Sequence, residues 1–154
     1  MSLKFCSLSS GSSGNCYLIC SDQTALLVDA GISCKKIVDF LEYLNVSAKM
    51  LSGILITHEH IDHIKGAELL GRKYGVPLFT NEKTGEQFLT LVKKTDHISL
   101  NFFQNLRPFF IGDIEVLPFP VSHDAADAVG FSLRCGNSQI SIATDTGCIT
   151  EGTI

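Results

Sequence analysis

Short apolar runs separated by polar, turn-forming segments make up the first third of the chain. Residues 4–8, 16–20 and 25–29 are strand-like, and the serine- and glycine-rich segment 9–15 separates the first two. This pattern predicts antiparallel hairpins. A helical pattern follows, in which Ser33 is the predicted N-cap of a helix that ends near Asn45. Its apolar residues recur at helical spacing: Cys34, Ile37, Val38, Leu41 and Leu44.

The middle of the chain alternates predicted strands with predicted helices. Residues 53–57 form a continuous apolar run, which is typical of a strand buried on both faces. A helix is predicted over residues 64–74 with Gly75 at its C′ position, and a strand over residues 76–80. Asn81 is then the predicted N-cap of a third helix. The alternation predicts an α/β arrangement in layers.

From residue 98 onward the pattern indicates strands again. Residues 114–121, 129–135 and 138–143 are strand-like, and Gly136-Asn137 predicts a two-residue hairpin turn between the last two. Four phenylalanines in this part are expected in the core, with part of the stretch left uncovered: Phe102, Phe103, Phe109 and Phe110. Neither an internal repeat nor a linker divides the sequence, so we expect residues 1–154 to form a single domain.

Composition excludes several classes of protein. With 45% hydrophobic and 18% charged residues the chain is too apolar to be disordered, and no apolar run approaches the ~20 residues of a membrane-spanning helix. The amino terminus lacks the continuous apolar region of a secretory signal, so we expect a cytoplasmic location. A net charge of −4 provides no general cationic field for nucleic acid. The six cysteines contain no CxxC pair and are expected to be reduced and mostly buried.

Metal-binding side chains are concentrated directly after the predicted buried strand, where His58, His60, Asp62 and His63 fall within six residues. In an extended segment, residues two apart point to the same side, so His58 and His60 can face one ion. Where the chain turns into the next helix, Asp62 and His63 can face a second ion. The spacing is not that of the helical HExxH motif. A lone loop histidine is usually structural, but this density of ligands favours a metal site.

Four sequence segments together resemble the metallo-β-lactamase-fold hydrolases. They are Leu27-Val28-Asp29-Ala30-Gly31, Thr57-His58-Glu59-His60-Ile61-Asp62-His63, Pro120-Val121-Ser122-His123-Asp124 and Ala143-Thr144-Asp145-Thr146-Gly147. Within that superfamily, the segments 9–15 and 122–127 resemble the YycJ/WalJ-like branch. The resemblance implies an αβ/βα sandwich of two similar halves, within the α/β (α+β) class. We expect this chain to hold the first half and the opening strands of the second, with on the order of a hundred further residues in a full family domain.

The resemblance also implies a site for two divalent ions. A first ion would be held by three histidines, His58, His60 and His123. A second would be held by Asp62 and His63, with Asp145 bridging both ions. The further family histidine at the second ion has no counterpart in the sequence, and Asp29 matches a position that braces the motif loop. Glu59, Asp29 and Asp124 are candidate acceptors for the outer nitrogens of the histidines. Zinc is favoured, although the mixed nitrogen and oxygen ligands also suit manganese or iron.

These expectations lead to a dinuclear metal-dependent hydrolase that uses a metal-bridged hydroxide, with Asp62, His63 and Asp145 as catalytic residues. A phosphodiester in DNA or RNA is the expected substrate, because the resemblance within the superfamily points that way. One alternative is hydrolysis of a small ester, thioester or lactone by the same site. Another is an incomplete chain that binds metal without activity. The segment 9–15 is either a flexible turn or a loop at the mouth of the site, and His97 is expected at the surface.

Overall fold

The computed structural model describes residues 2–144, which form two β-sheets with helices on one side. The strands in this part of the chain are β1 Lys4–Ser9, β2 Cys16–Cys20, β3 Ala25–Val28, β4 Gly53–Leu55, β5 Leu78–Thr80, β6 Leu100–Phe102, β7 Phe109–Ile111, β8 Ile114–Pro120, β9 Val129–Cys135 and β10 Ser138–Ile142. The helices are α1 Cys34–Tyr43, α2 Ile61–Ile64, α3 Ala67–Tyr74 and α4 Glu82–Leu91, and a 3-10 turn spans Ala48–Met50.

The first sheet has the order β1-β2-β3-β4-β5-β6. Its first three strands are antiparallel, as the hairpin pattern predicts, and β3 to β6 are parallel and joined through the helices. All of β4 is buried, in agreement with its continuous apolar run. Ser33 and Asn81 are the N-caps of α1 and α4, and each side chain accepts a hydrogen bond from the backbone three residues on. Gly75 has the left-handed conformation expected at the end of α3.

The second sheet is antiparallel and has the order β10-β9-β8-β7. Cys135 pairs with Ser138 across the predicted Gly136-Asn137 turn, and Gly136 has φ 60°. Apolar residues of β3 alternate between two cores. Leu27 packs with the helices, whereas Leu26 and Val28 pack with the second sheet. The resulting order of helices, sheet and sheet is that of the first three layers of an αβ/βα sandwich.

The predicted helix over residues 64–74 is wrong at its start. Helix α2 begins at Ile61 and ends at Ile64. The helical conformation is interrupted at Gly66, and α3 begins at Ala67. The Gly66 N–H donates to the carbonyl oxygen of Ala30 at 2.7 Å, and a Cβ on Gly66 would lie 2.4 Å from the carbonyl oxygen of Ile32. This close approach to the segment after β3 holds the break in place.

The phenylalanine stretch lies partly in the core and is partly uncovered, as expected. Phe103 is buried and stacks on Phe109 with ring centroids 5.5 Å apart. Phe102 and Phe110, by contrast, are 56% and 66% exposed. Successive strand residues point to opposite faces, so one member of each pair is turned outward. His97 is exposed, as expected. Among residues 2–144, no helix is both long enough and apolar enough to cross a membrane.

Candidate metal centre

Three histidine side chains converge at the ends of two strands that lie in different sheets. His58 and His60 follow β4, and His123 follows β8. One ring nitrogen of each lies within 4.8 Å of the others. The ring of His58 meets those of His60 and His123 edge to face, with centroids 4.8 and 4.5 Å apart. The two sheets therefore bring together residues that are more than sixty positions apart in the sequence.

The geometry of this cluster fits one divalent cation. Nδ1 of His60 lies 3.2 Å from Nε2 of His123. Two nitrogens that bind one tetrahedral ion at ~2.0–2.1 Å are about 3.3 Å apart. Imidazole nitrogens are ligands that zinc and other transition metals accept. His58 is buried and the other two histidines are half-buried, so the cluster opens to solvent on one side.

A buried network around Asp29 fixes the orientation of the motif loop. One carboxylate oxygen, Oδ1, accepts from the Thr57 N–H at 2.8 Å, and the other, Oδ2, accepts from the Thr57 hydroxyl at 2.7 Å. Oδ2 also lies 2.6 Å from Nδ1 of His63. Burial raises the pKa of Asp29, while the hydrogen bonds from His63 and Thr57 act in the opposite direction. These contacts agree with the expectation that Asp29 braces the loop.

The same network sets the tautomers of two histidines. Because Nδ1 of His63 donates to Asp29, the lone pair of the neutral ring lies on Nε2. The Thr57 hydroxyl donates its proton to Asp29, so its oxygen accepts from Nδ1 of His58, which lies 2.9 Å away. The lone pair of His58 is then also on Nε2. Both rings therefore present Nε2 as the atom that can bind a metal.

Asp62 and His63 lie beside the three-histidine cluster. Oδ2 of Asp62 is 3.6 Å from Nε2 of His63, and the rings of His63 and His58 have centroids 4.0 Å apart. The Asp62 side chain is 28% exposed and that of His63 is fully buried. The predicted bridging residue, Asp145, lies outside the described residues.

Glu59 connects the two loops that carry the histidines. Its Oε2 accepts from the Ala126 N–H at 3.0 Å, and the Val129 N–H donates to the carbonyl oxygen of Thr57 at 3.0 Å. The sequence suggested Glu59 as an acceptor for a histidine ring. In the structure, one of its oxygens instead accepts a hydrogen bond from the backbone of the loop after His123. Asp29 does serve as such an acceptor, whereas Asp124 is exposed.

Asn15 is a site residue that sequence reasoning missed. It is buried at the end of the segment 9–15, and its Nδ2 lies 3.2 Å from Nε2 of His63 and 3.5 Å from Oδ2 of Asp62. The sequence pattern predicts a turn or a mouth loop for this segment, but the segment lies far from the motif in the sequence, so the pattern does not reveal the contact. The one available signal was a lone amide side chain directly before an apolar strand.

The family model of the metallo-beta-lactamase superfamily matches residues 10–152. The chain belongs to this superfamily. That result confirms the resemblance inferred from the sequence motifs. The residues described above thus form the candidate site of a metallo-β-lactamase superfamily member.

Two curated relatives of this superfamily member are nucleases by name. The chain is 40% identical over 153 residues to exodeoxyribonuclease YycJ of Bacillus anthracis, covering 98% of this chain and 57% of that protein. It is 39% identical over 150 residues to exodeoxyribonuclease WalJ of Streptococcus pneumoniae serotype 2, covering 96% and 56%. The chain thus spans a little more than half the length of these relatives.

A solved structure confirms the fold. The metallo-beta-lactamase fold protein YhfI from Bacillus subtilis superposes with a TM-score of 0.73 over 90% of this chain and 60% of that one. The two sequences are 22% identical, so this likeness concerns the fold alone. It agrees with the predicted metallo-β-lactamase architecture.

Proposed function

We propose that this chain carries the metal site of a metal-dependent phosphodiesterase that degrades DNA from its ends. The observation that carries the proposal is the convergence of His58, His60 and His123, with 3.2 Å between the nitrogens of the last two. The 40% identity to a protein named an exodeoxyribonuclease supports DNA as the substrate.

In this proposal the three histidines hold the first divalent cation. Asp62 and His63 hold a second, together with Asp145, and zinc is the favoured metal, with manganese or iron compatible with the ligands. When bound, such cations lower the pKa of water and neutralise negative charge on a phosphodiester. Since the net charge of −4 provides no general cationic field, bound cations would supply local positive charge for contact with a polyanion.

The protein's own groups contribute orientation and a proton acceptor. Asp29 and Thr57 hold the rings of His63 and His58 in the tautomers that present Nε2. The carboxylate of Asp62 is partly exposed, and in this proposal the oxygen that does not bind the cation accepts a proton from water during hydrolysis. Glu59 keeps the loop of His123 against the loop of His58 and His60.

The experiment compares linear and covalently closed circular DNA as substrates for the metal-loaded chain. We expect cation-dependent release of nucleotides from linear DNA only, and loss of this activity in His58→Ala and His123→Ala. His97→Ala is the matched control because His97 is exposed and lies outside the cluster.

Small esters, thioesters and lactones are assayed in parallel. Turnover of these compounds without cleavage of DNA would contradict the proposal and favour the alternative hydrolase. Cation binding without turnover of any substrate would favour a metal-binding chain that has no activity by itself.

We also propose a cytoplasmic location. The five cysteines in the described part of the chain are free thiols, which suits a reducing compartment: Cys6, Cys16, Cys20, Cys34 and Cys135.

A further inference from the structure

The amide of Asn15 contacts two of the residues that we propose for the second cation, His63 and Asp62. Its Nδ2 lies 3.2 Å from Nε2 of His63 and 3.5 Å from Oδ2 of Asp62. These two atoms are themselves 3.6 Å apart. One nitrogen therefore lies against two of the atoms that would bind the second cation.

The orientation of the Asn15 amide is fixed from the other side by Gly11. The Gly11 N–H donates to Oδ1 at 3.1 Å, and the Gly11 carbonyl oxygen accepts from Nδ2 at 3.0 Å. The hydroxyl of Tyr17 also donates to Oδ1, at 3.4 Å. If the amide were flipped, Oδ1 would face the Gly11 carbonyl oxygen and Nδ2 would face the Gly11 N–H. Both hydrogen bonds to Gly11 would then be lost. The N–H group, and not the oxygen, thus faces Asp62 and His63.

The backbone of Asn15 is held as firmly as its side chain. Its N–H donates to the carbonyl oxygen of Asp62 at 2.8 Å, and its carbonyl oxygen accepts from the Gly31 N–H at 2.8 Å. A Cβ on Gly31 would lie only 1.7 Å from the carbonyl oxygen of Asp62, so the backbone at Gly31 packs directly against the backbone of Asp62. Asn15 cannot withdraw from the pair without disturbing the motif loop.

A hydrogen-bond donor and a cation are alternative partners for one lone pair. Asp29 accepts from Nδ1 of His63, which leaves the lone pair on Nε2, and the N–H of Asn15 points toward that atom. A divalent cation at the second position needs the same lone pair. The donor also places a partial positive charge where the cation would bind.

We propose that Asn15 competes with the second cation for His63 and Asp62, so that the three-histidine position fills first. The inference rests on the proposed metal site. In this scheme Asn15 determines how many cations the chain holds at a given free metal concentration.

The experiment measures zinc binding to the metal-free chain by chelator competition, with bound zinc counted by elemental analysis. Asn15→Ala removes the donor. Asn15→Asp keeps the shape of the side chain and the bond from the Gly11 N–H, but it places an oxygen ligand where the donor was. Ser12→Ala, at an exposed position of the same segment, is the control.

We expect binding of the second zinc to tighten by about 10-fold in Asn15→Ala and about 100-fold in Asn15→Asp, with the first unchanged. Thermal melts with and without zinc provide a second readout. Zinc should raise the melting temperature of Asn15→Asp more than that of the wild type, because tighter binding to the folded state stabilises it further.

Three results would overturn the inference. Unchanged binding of the second zinc in both variants would show that Asn15 does not compete. Weaker binding in both folded variants would show that Asn15 only positions the ligands. No binding of zinc at the three histidines of the wild type would remove the proposed metal site, which distinguishes that failure from the first two.

Discussion

Nδ1 of His63 lies 2.6 Å from Oδ2 of Asp29, and both side chains are completely buried. The contact joins the residue after β3 to helix α2 and turns Nε2 of His63 toward Asp62. Asp29 itself has φ 62°, a left-handed conformation that is uncommon for residues other than glycine. Hydrogen bonds with Thr57 and His63 hold Asp29 in this conformation. Asp29 is therefore the first residue to substitute in a test of the site.

Asp29→Asn is expected to lower both stability and metal affinity. The amide cannot accept from all three donors, so at least one buried group of Thr57 or His63 loses its partner. We expect a loss of about 1.5–3 kcal/mol in the free energy of unfolding, measured with urea on the metal-free chain. Cation affinity should fall by about 10- to 100-fold.

Asp39→Asn is the control for this experiment, because Asp39 makes an exposed ion pair with Lys35. Its effect on stability should be within about 0.5 kcal/mol. Equal effects of the two substitutions would contradict the role given to Asp29.

Glu59→Ala is expected to weaken binding of the first cation. Without the bond from the Ala126 N–H, the loop that carries His123 keeps only the bond from the Val129 N–H to the Thr57 carbonyl oxygen, so it is held less firmly against the motif loop. We expect about a 10-fold loss of zinc affinity, measured by chelator competition. Glu59→Gln retains an acceptor oxygen and should stay close to the wild type. If Glu59→Ala and Glu59→Gln bind zinc equally well, the loop does not depend on this contact.

Gly31→Ala is expected to destabilise the chain strongly. The new methyl group would lie 1.7 Å from the carbonyl oxygen of Asp62, which is backbone and cannot rotate away. We expect the free energy of unfolding to fall by about 3 kcal/mol or more. Gly75→Ala offers a comparison, since it meets only the strain of a left-handed backbone in open space and should lower the free energy of unfolding by about 1–2 kcal/mol. Urea unfolding measures the free energy of unfolding of both variants. A smaller loss for Gly31→Ala than for Gly75→Ala would contradict the prediction.

The acid stability of the chain should depend on Asp113. A hydrogen bond from the Ser21 hydroxyl at 2.6 Å is the main cause that lowers the pKa of Asp113 below its usual range. The ionised form is therefore favoured in the folded state. Its contribution to stability is present above the unfolded pKa of about 3.9 and is lost as pH falls through the lower folded pKa.

Asp113→Asn tests this dependence through melting temperatures at different pH. The wild type should melt at a higher temperature than the variant near pH 6, and the difference should shrink as the pH falls below about 4. A difference that stays constant over that range would contradict the linkage.

Local signals predicted most of the fold. The buried run of β4, the caps Ser33 and Asn81 and the Gly136-Asn137 turn each depend on neighbouring residues, so the sequence reveals them directly. The break at Gly66 was not predictable in this way, because its cause is a contact with Ala30 from another part of the chain.

Sequence patterns led to only part of the candidate site. Spacing pointed to His58 and His60, and the family resemblance added His123, which the structure places beside them. The contacts of Asn15 with His63 and of Glu59 with Ala126 span 48 and 67 positions. Such partners follow from how the sheets and loops pack, which no local pattern encodes.

Anomalous X-ray diffraction at the zinc absorption edge, from crystals of the zinc-loaded chain, tests the metal site most directly. We expect an anomalous peak ~2.0–2.1 Å from a ring nitrogen of each of His58, His60 and His123. An anomalous map with no peak among these three rings, or with its strongest peak on other residues, would contradict it.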